Sequence, residues 1–167
     1  KGVYEYVEAA KLVKERFPDT NFLLVGTPDI DNPNTIKQIE IDSWVDDGII
    51  NYLGHRNDIP TVFANSNIVC LPSFYGEGVP KVLIEAAACG RAIVTTDNPG
   101  CKDAIINGVT GIAVPVRDSK SLALAIIKLL EEPSLRITMG KKGRDFAEKE
   151  FDVHSVVNKH LAIYNEL

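Results

Sequence analysis

Residues 67–96 read NIVCLPSFYGEGVPKVLIEAAACGRAIVTT, and the fold class follows from how this stretch alternates. Asn67 to Leu71 is a short apolar strand broken by Pro72, and Ser73 to Gly78 is a polar, glycine-bearing loop. The apolar run from about Val79 to Ala88 then has the length and composition of a helix, ended by Cys89-Gly90. Ala92 to Thr95 is β-branched and returns the chain to an extended form. Strands that are apolar almost throughout and alternate with helices imply a mainly parallel sheet covered on both faces.

The same alternation extends in both directions. Toward the N-terminus, Val3, Val7, Ala10, Leu12 and Val13 recur at helical spacing until Phe17-Pro18-Asp19, which predicts a helix over residues 3–16. Asn21 to Val25 reads as a strand ended by Gly26, and residues 27–34 as a loop. Ile36, Ile39, Ile41 and Val45 predict a second helix, and Ile49 to Leu53 a strand closed by Gly54. A short helix carrying Ile59, Val62 and Phe63 leads into the quoted stretch. Beyond it, Ile112 to Val114 is a last strand, and residues 119–132, 134–149 and 153–165 read as three closing helices. The expected architecture is a doubly wound, Rossmann-like α/β domain with ligands outside the carboxyl ends of its strands, at the loops beginning with Gly26, Gly54, Pro72 and Thr96.

Composition narrows the classes. The 167 residues suit one compact domain, with 45% hydrophobic and 25% charged residues. No apolar run approaches the roughly 20 residues of a membrane-spanning helix. A net charge of −5 argues against a surface built as a nucleic-acid footprint. Cys70, Cys89 and Cys101 are odd in number and far apart, so neither a disulfide framework nor a zinc site is expected, and a reducing cytoplasm fits. The chain begins at Lys1 and enters a helical pattern at once, and it reads as a domain excised from a longer protein.

The chemistry lies in the loop before the helix of the quoted stretch. Gly76 and Gly78 remove side chains where a ligand could approach the backbone, and Pro80 suits the first turn of the helix. The unpartnered N–H groups there, with the helix dipole behind them, form an anion site suited to a diphosphate. Glu77 stands at the mouth of this loop and Glu85 two turns along nearly the same helical side. A carboxylate in an apolar helix needs partners, and vicinal ribose hydroxyls would supply two. From spacing alone the alternative stands equally: Lys81 pairs with Glu85 at i, i+4, and Glu77 is a charge that favours a helix N-terminus.

The pattern Glu77-Gly78-x-Pro80 with Glu85-Ala86, Gly90, Ile93-Val94-Thr95 and Asn98-Pro99-Gly100 behind it closely resembles the retaining GT-B glycosyltransferases of glycosyltransferase family four. Lys1-Gly2-Val3, Phe22 to Gly26, Leu53-Gly54 and Asn107-Gly108-x-x-Gly111 resemble the C-terminal domain of that family in the expected order. The resemblance implies a donor-binding domain that holds a nucleotide sugar, by family frequency a UDP-sugar. It implies that Glu85 bonds the ribose hydroxyls, that Glu77 faces the donor sugar, and that Gly78, Val79 and Pro80 line the sugar and phosphate pocket. Lys1 matches the lysine that neutralises the diphosphate, while the arginine and first strand that precede it in the family are absent. Gly54, His55 and Arg56 would frame the base, and Ser73 is a loop or sugar-pocket residue. Transfer with retention to a glycan or lipid-linked acceptor held by an N-terminal domain is expected, in cell-envelope polysaccharide synthesis at the cytoplasmic side of the membrane, without metal or other cofactor. A nucleotide-sugar epimerase of the same architecture and a non-catalytic nucleotide-sugar module are the alternatives.

Other signals read more simply as structure. His55, His154 and His160 lack metal-ligand spacing, and the two late ones are expected on the surface of the last helix. Cys101 follows Gly100 at an expected helix start but has no histidine partner to make it a nucleophile. Asp46-Asp47-Gly48 reads as a turn. Neither a G-x-G-x-x-G nor a phosphate-loop motif occurs, which counts against dehydrogenases and nucleoside triphosphatases. Lys141, Lys142 and Arg144 form a solvated helix face or, as a weaker reading, a contact to anionic lipid.

Overall fold

A computed structural model describes residues 1–29, 32, 35–76, 78–153, 157 and 161–164. Among the described residues the elements follow in the order α1 (Val3–Arg16), β1 (Leu23–Val25), α2 (Gln38–Asp46), β2 (Asn51–Gly54), α3 (Ile59–Ala64), β3 (Ile68–Leu71), α4 (Lys81–Ala88), β4 (Ala92–Thr96), β5 (Gly111–Val114), α5 (Ser119–Glu131) and α6 (Pro133–Glu150), with a 3-10 turn at Lys102–Ala104 between β4 and β5. All strand pairs are parallel. Helical backbone is also found at Val153, Val157 and Leu161 to Tyr164, within the expected closing helix. The other residues of that stretch, His154 and His160 among them, lie outside the described residues.

β4 shows why both faces are covered. All five of its residues are buried. Ala92 and Val94 join a core with Val7, Ala10 and Val13 of α1 and Leu122, Ile126 and Leu129 of α5. Ile93 points the other way, into a core with Leu83, Ala86 and Ala87 of α4 and Ala147 of α6. Alternate side chains of one strand thus feed two apolar layers, which is the physical meaning of a doubly wound sheet. Each of the large buried side chains, such as Leu83 and Leu129, is worth about 1.5–3 kcal/mol relative to exposure.

The sheet departs from the continuous one expected. Among the described residues β1 pairs only with β2, and β3, β4 and β5 form a second sheet. A cleft of about 870 Å³ opens between β1 and β3, lined by both strands, by Tyr6 of α1 and by Ile126 and Leu130 of α5. Across it, the Tyr6 hydroxyl donates to the Leu23 carbonyl at 3.1 Å. Burial raises the Tyr6 phenol and pushes the Cys70 thiol up to about 12. Cys70 is therefore a neutral, packed thiol.

Helix α2 is a second departure. Ile36 precedes it, Ile39 is 74% exposed and Val45 is also exposed, so Ile41 alone of the four apolar positions is buried. The helix is anchored at its start instead: the Glu40 carboxylate accepts from the Lys37 N–H at 3.0 Å and from the Tyr4 hydroxyl at 2.8 Å, and these bonds hold its carboxyl below the usual range.

Candidate functional site

The loop leaving β3 and the helix it feeds lie where the sequence placed them, with one shift in register. α4 begins at Lys81, and Pro80 is its N-cap, with extended backbone at φ −65° and ψ 124°. The Pro80 carbonyl accepts from the Leu83 and Ile84 N–H groups at 3.0 and 3.4 Å. Among the described residues no side chain caps this helix, and its first N–H groups, those of Lys81 and Val82, lie at the end of the loop. Gly78 and Val79 are exposed beside them, while Pro80 is buried. Glu77 lies outside the described residues.

Glu85 projects from the side of α4 opposite the buried Leu83, Ala86 and Ala87. Its side chain is 42% exposed, and Lys81 Nζ stands 3.4 Å from its Oε1. The i, i+4 pair weighed from the sequence therefore exists. Lys81 is 88% exposed, however, and such surface pairs are screened and weak. The carboxylate remains open to a stronger partner.

The N-terminus of the chain is brought to the same edge. Gly2 is the N-cap of α1, its backbone is left-handed at φ 81°, and it packs against the Pro72 carbonyl at the carboxyl end of β3. Lys1 and Gly2 line the cleft beside Pro72. A lysine is thereby set beside the start of the 73–78 loop. Ser73 is fully buried, and its carbonyl accepts from Thr96 Oγ1.

Gly54, His55 and Arg56 lie at the carboxyl end of β2, in the other sheet. The Gly54 carbonyl accepts from the Gly26 N–H at 2.9 Å, tying together two of the four loops expected to form the ligand edge. His55 Nε2 is 2.9 Å from Asn57 Oδ1. Arg56 forms a two-pronged pair with Asp58, Nε to Oδ1 at 2.8 Å and Nη2 to Oδ2 at 2.6 Å, which keeps the Asp58 carboxyl below its ordinary range. Both side chains are thus held by near neighbours.

Several side chains remain structural. Cys101 is fully buried. Asp47 ends α2 and Gly48 follows at φ 67°, as a turn. Arg144 bonds Glu148 at 2.8 Å and the Ala88 carbonyl at 2.8 Å, so it tethers α6 to the end of α4, while Lys141 and Lys142 are exposed. Among the described residues no helix is long and apolar enough to cross a membrane.

A parallel α/β fold wound on both faces thus brings to its carboxyl edge a glycine-bearing loop, a helix N-terminus with no side-chain cap among the described residues, and a half-exposed carboxylate on that helix. The family model described as "Glycosyl transferases group 1" matches residues 1–132, and the chain belongs to this family. It is 35% identical over 167 residues to the N,N'-diacetylbacillosaminyl-diphospho-undecaprenol alpha-1,3-N-acetylgalactosaminyltransferase of Campylobacter jejuni, an alignment covering 100% of this chain and 42% of that protein. It is 28% identical over 165 residues to the capsular polysaccharide biosynthesis glycosyltransferase CapM of Staphylococcus aureus, covering 99% of the chain and 43% of CapM. The fold matches that of HepE from Anabaena, solved in complex with UDP, with a TM-score of 0.90 at 24% identity, over 100% of this chain and 46% of HepE. The chain thus spans about two fifths of the length of the curated relatives it matches.

Proposed function

We propose that this chain is the donor-binding half of a retaining GT-B hexosyl- or N-acetylhexosaminyltransferase that uses a UDP-sugar. The observation that carries the reading is the half-exposed Glu85 carboxylate on a helix that follows the Gly76–Gly78 loop and whose N-terminus has no side-chain cap among the described residues. In this reading the ribose hydroxyls donate to Glu85, displacing the weak contact from Lys81. The α4 N–H groups and Lys1 take the diphosphate, Gly78, Val79 and Pro80 line the sugar and phosphate pocket, and Glu77 contacts the sugar. Backbone at Gly54 to Arg56 frames the base. Catalysis by this half is electrostatic: positive charge and helix N–H groups stabilise the diphosphate as it leaves, and no metal ion is required.

The relatives support the substrate class. The name of the Campylobacter relative specifies transfer of N-acetylgalactosamine to a diphospho-undecaprenol-linked sugar, and that of CapM specifies capsular polysaccharide biosynthesis. The corresponding role here is elongation of a lipid-linked cell-envelope glycan at the cytoplasmic face of the membrane, with the acceptor held by a separate N-terminal domain.

The cleft supports the same organisation. β1 and β3 are edge strands of their two sheets and both line it, so in this reading a further strand seated between them would join the two sheets into one. A strand leading into α1 through Lys1-Gly2 would do so by an ordinary βαβ crossover. Calorimetric titration with UDP, GDP, ADP and UDP-N-acetylglucosamine, with and without EDTA and with Glu85→Ala alongside, tests the assignment. Saturable, EDTA-insensitive UDP binding that the mutation weakens is expected; UDP binding indifferent to the mutation would overturn it.

A further inference from the structure

We propose that Arg117 is a positioning residue for the loop that holds the sugar donor, acting through the ring of Phe74. Past the end of β3 the chain continues beside the carboxyl end of β4, and three alternate carbonyls are caught by side chains from that end. Thr95 Oγ1 donates to the Leu71 carbonyl at 2.7 Å, Thr96 Oγ1 to that of Ser73, and Asn98 Nδ2 to that of Tyr75. These bonds fix one side of the loop just before Gly76.

The other side is held from β5. The Arg117 guanidinium lies over the Phe74 ring, 4.6 Å from its centroid, and Phe74 stacks on Tyr75 at 4.8 Å with 29° between the rings. Arg117 is the one non-glycine among the described residues with a positive φ, 56°. Glycine would hold that backbone with less strain, so what the position gains from arginine is its side chain. The turn cannot relax forward, because the next residue, Asp118, caps α5 by accepting from the Ser121 N–H at 2.9 Å and the Ser121 hydroxyl at 2.6 Å. Among the described residues no carboxylate pairs with Arg117, which leaves Phe74 as the side chain it engages.

Loop 73–76 is therefore gripped between the ends of β4 and β5 immediately before the residues assigned to the donor sugar and diphosphate. The inference rests on the donor-site reading above. Its test uses the full-length protein, with UDP as the probe in calorimetry, on wild type, Glu85→Ala, Arg117→Ala, Arg117→Lys, Phe74→Leu and the Arg117→Ala/Phe74→Leu double variant, each with a thermal melt. Arg117→Ala is expected to weaken UDP binding about two- to five-fold, the scale of an exposed cation–π contact, with an unchanged melting temperature. Arg117→Lys should restore most of it, and the double variant should be no weaker than the poorer single. Wild-type affinity in Arg117→Ala, or multiplying losses in the double variant, would overturn the proposal while a Glu85-dependent UDP site stood. UDP binding unaffected by Glu85→Ala would instead remove the donor-site reading itself.

Discussion

Gly2 sits against Pro72 so closely that a β-carbon on Gly2 would overlap the Pro72 carbonyl oxygen and stand 2.7 Å from its carbonyl carbon. The contact fastens the start of α1 to the end of β3, and with it Lys1 to the loop edge. Gly2→Ala meets this overlap and a left-handed φ of 81° together. A loss of about 1–3 kcal/mol in urea unfolding is expected, with weakened UDP binding as Lys1 is displaced; an unchanged midpoint would show that α1 seats differently.

Glu85 and Lys81 separate the functional from the surface role of one ion pair. Glu85→Ala should cost about 1.5–3 kcal/mol of UDP binding, the worth of hydrogen bonds to a charged group. Lys81→Ala should change stability by no more than about 0.5 kcal/mol and leave UDP affinity intact or slightly improved, because the ammonium competes for the carboxylate. Calorimetry on both variants decides.

Asp118 gives a pH dependence of known sign. Its bonds from Ser121 hold its carboxyl below the ordinary 3.8 in the folded chain. A lowered folded value means stability that is present above the unfolded value and lost as pH falls through the folded one. Asp118→Ala should therefore lower the melting temperature at pH 7, and the gap to wild type should narrow below pH 3.8. A gap constant across that range would assign the loss to something other than the cap.

Gly140 of α6 lies on the turn after α4: a β-carbon there would overlap the Gly90 carbonyl oxygen and stand 2.9 Å from its carbon. Alanine is the better helix former, so propensity alone predicts that Gly140→Ala stabilises. The contact predicts the reverse, a loss of about 1–3 kcal/mol by chemical denaturation.

Completing the cleft should be visible in exchange. If, as proposed, a strand leads into α1 through Lys1-Gly2, amides of β1 and β3 should gain protection and the melting temperature should rise when that strand is supplied, whereas a scrambled extension should leave both unchanged.

Much of the candidate site is legible in the sequence because it is local. The Glu85 spacing, the glycine loop and the apolar helix behind it occupy one short stretch, and its strand–loop–helix–strand order appears with shifts of only a residue or two at its ends. Where reading failed, periodicity was a poor proxy for burial. Ile39 keeps helical spacing and still faces solvent, because α2 packs on the edge of the fold through few residues and takes its anchor from Glu40. Pro80 was expected within the first turn, but its extended ψ makes it the cap.

By itself the sequence determined the parallel α/β architecture, the two-faced burial of β4 and the position of Glu85 on its helix, since hydrophobic alternation and helical phase are set by neighbours along the chain. Only the tertiary structure decided that the sheet divides at β1 and β3, that Gly2 meets Pro72, that Gly140 meets Gly90, and that Arg117 covers Phe74. Each of these joins residues far apart in sequence, and their approach depends on how whole helices and strands pack, a constraint that leaves no period in the chain to read.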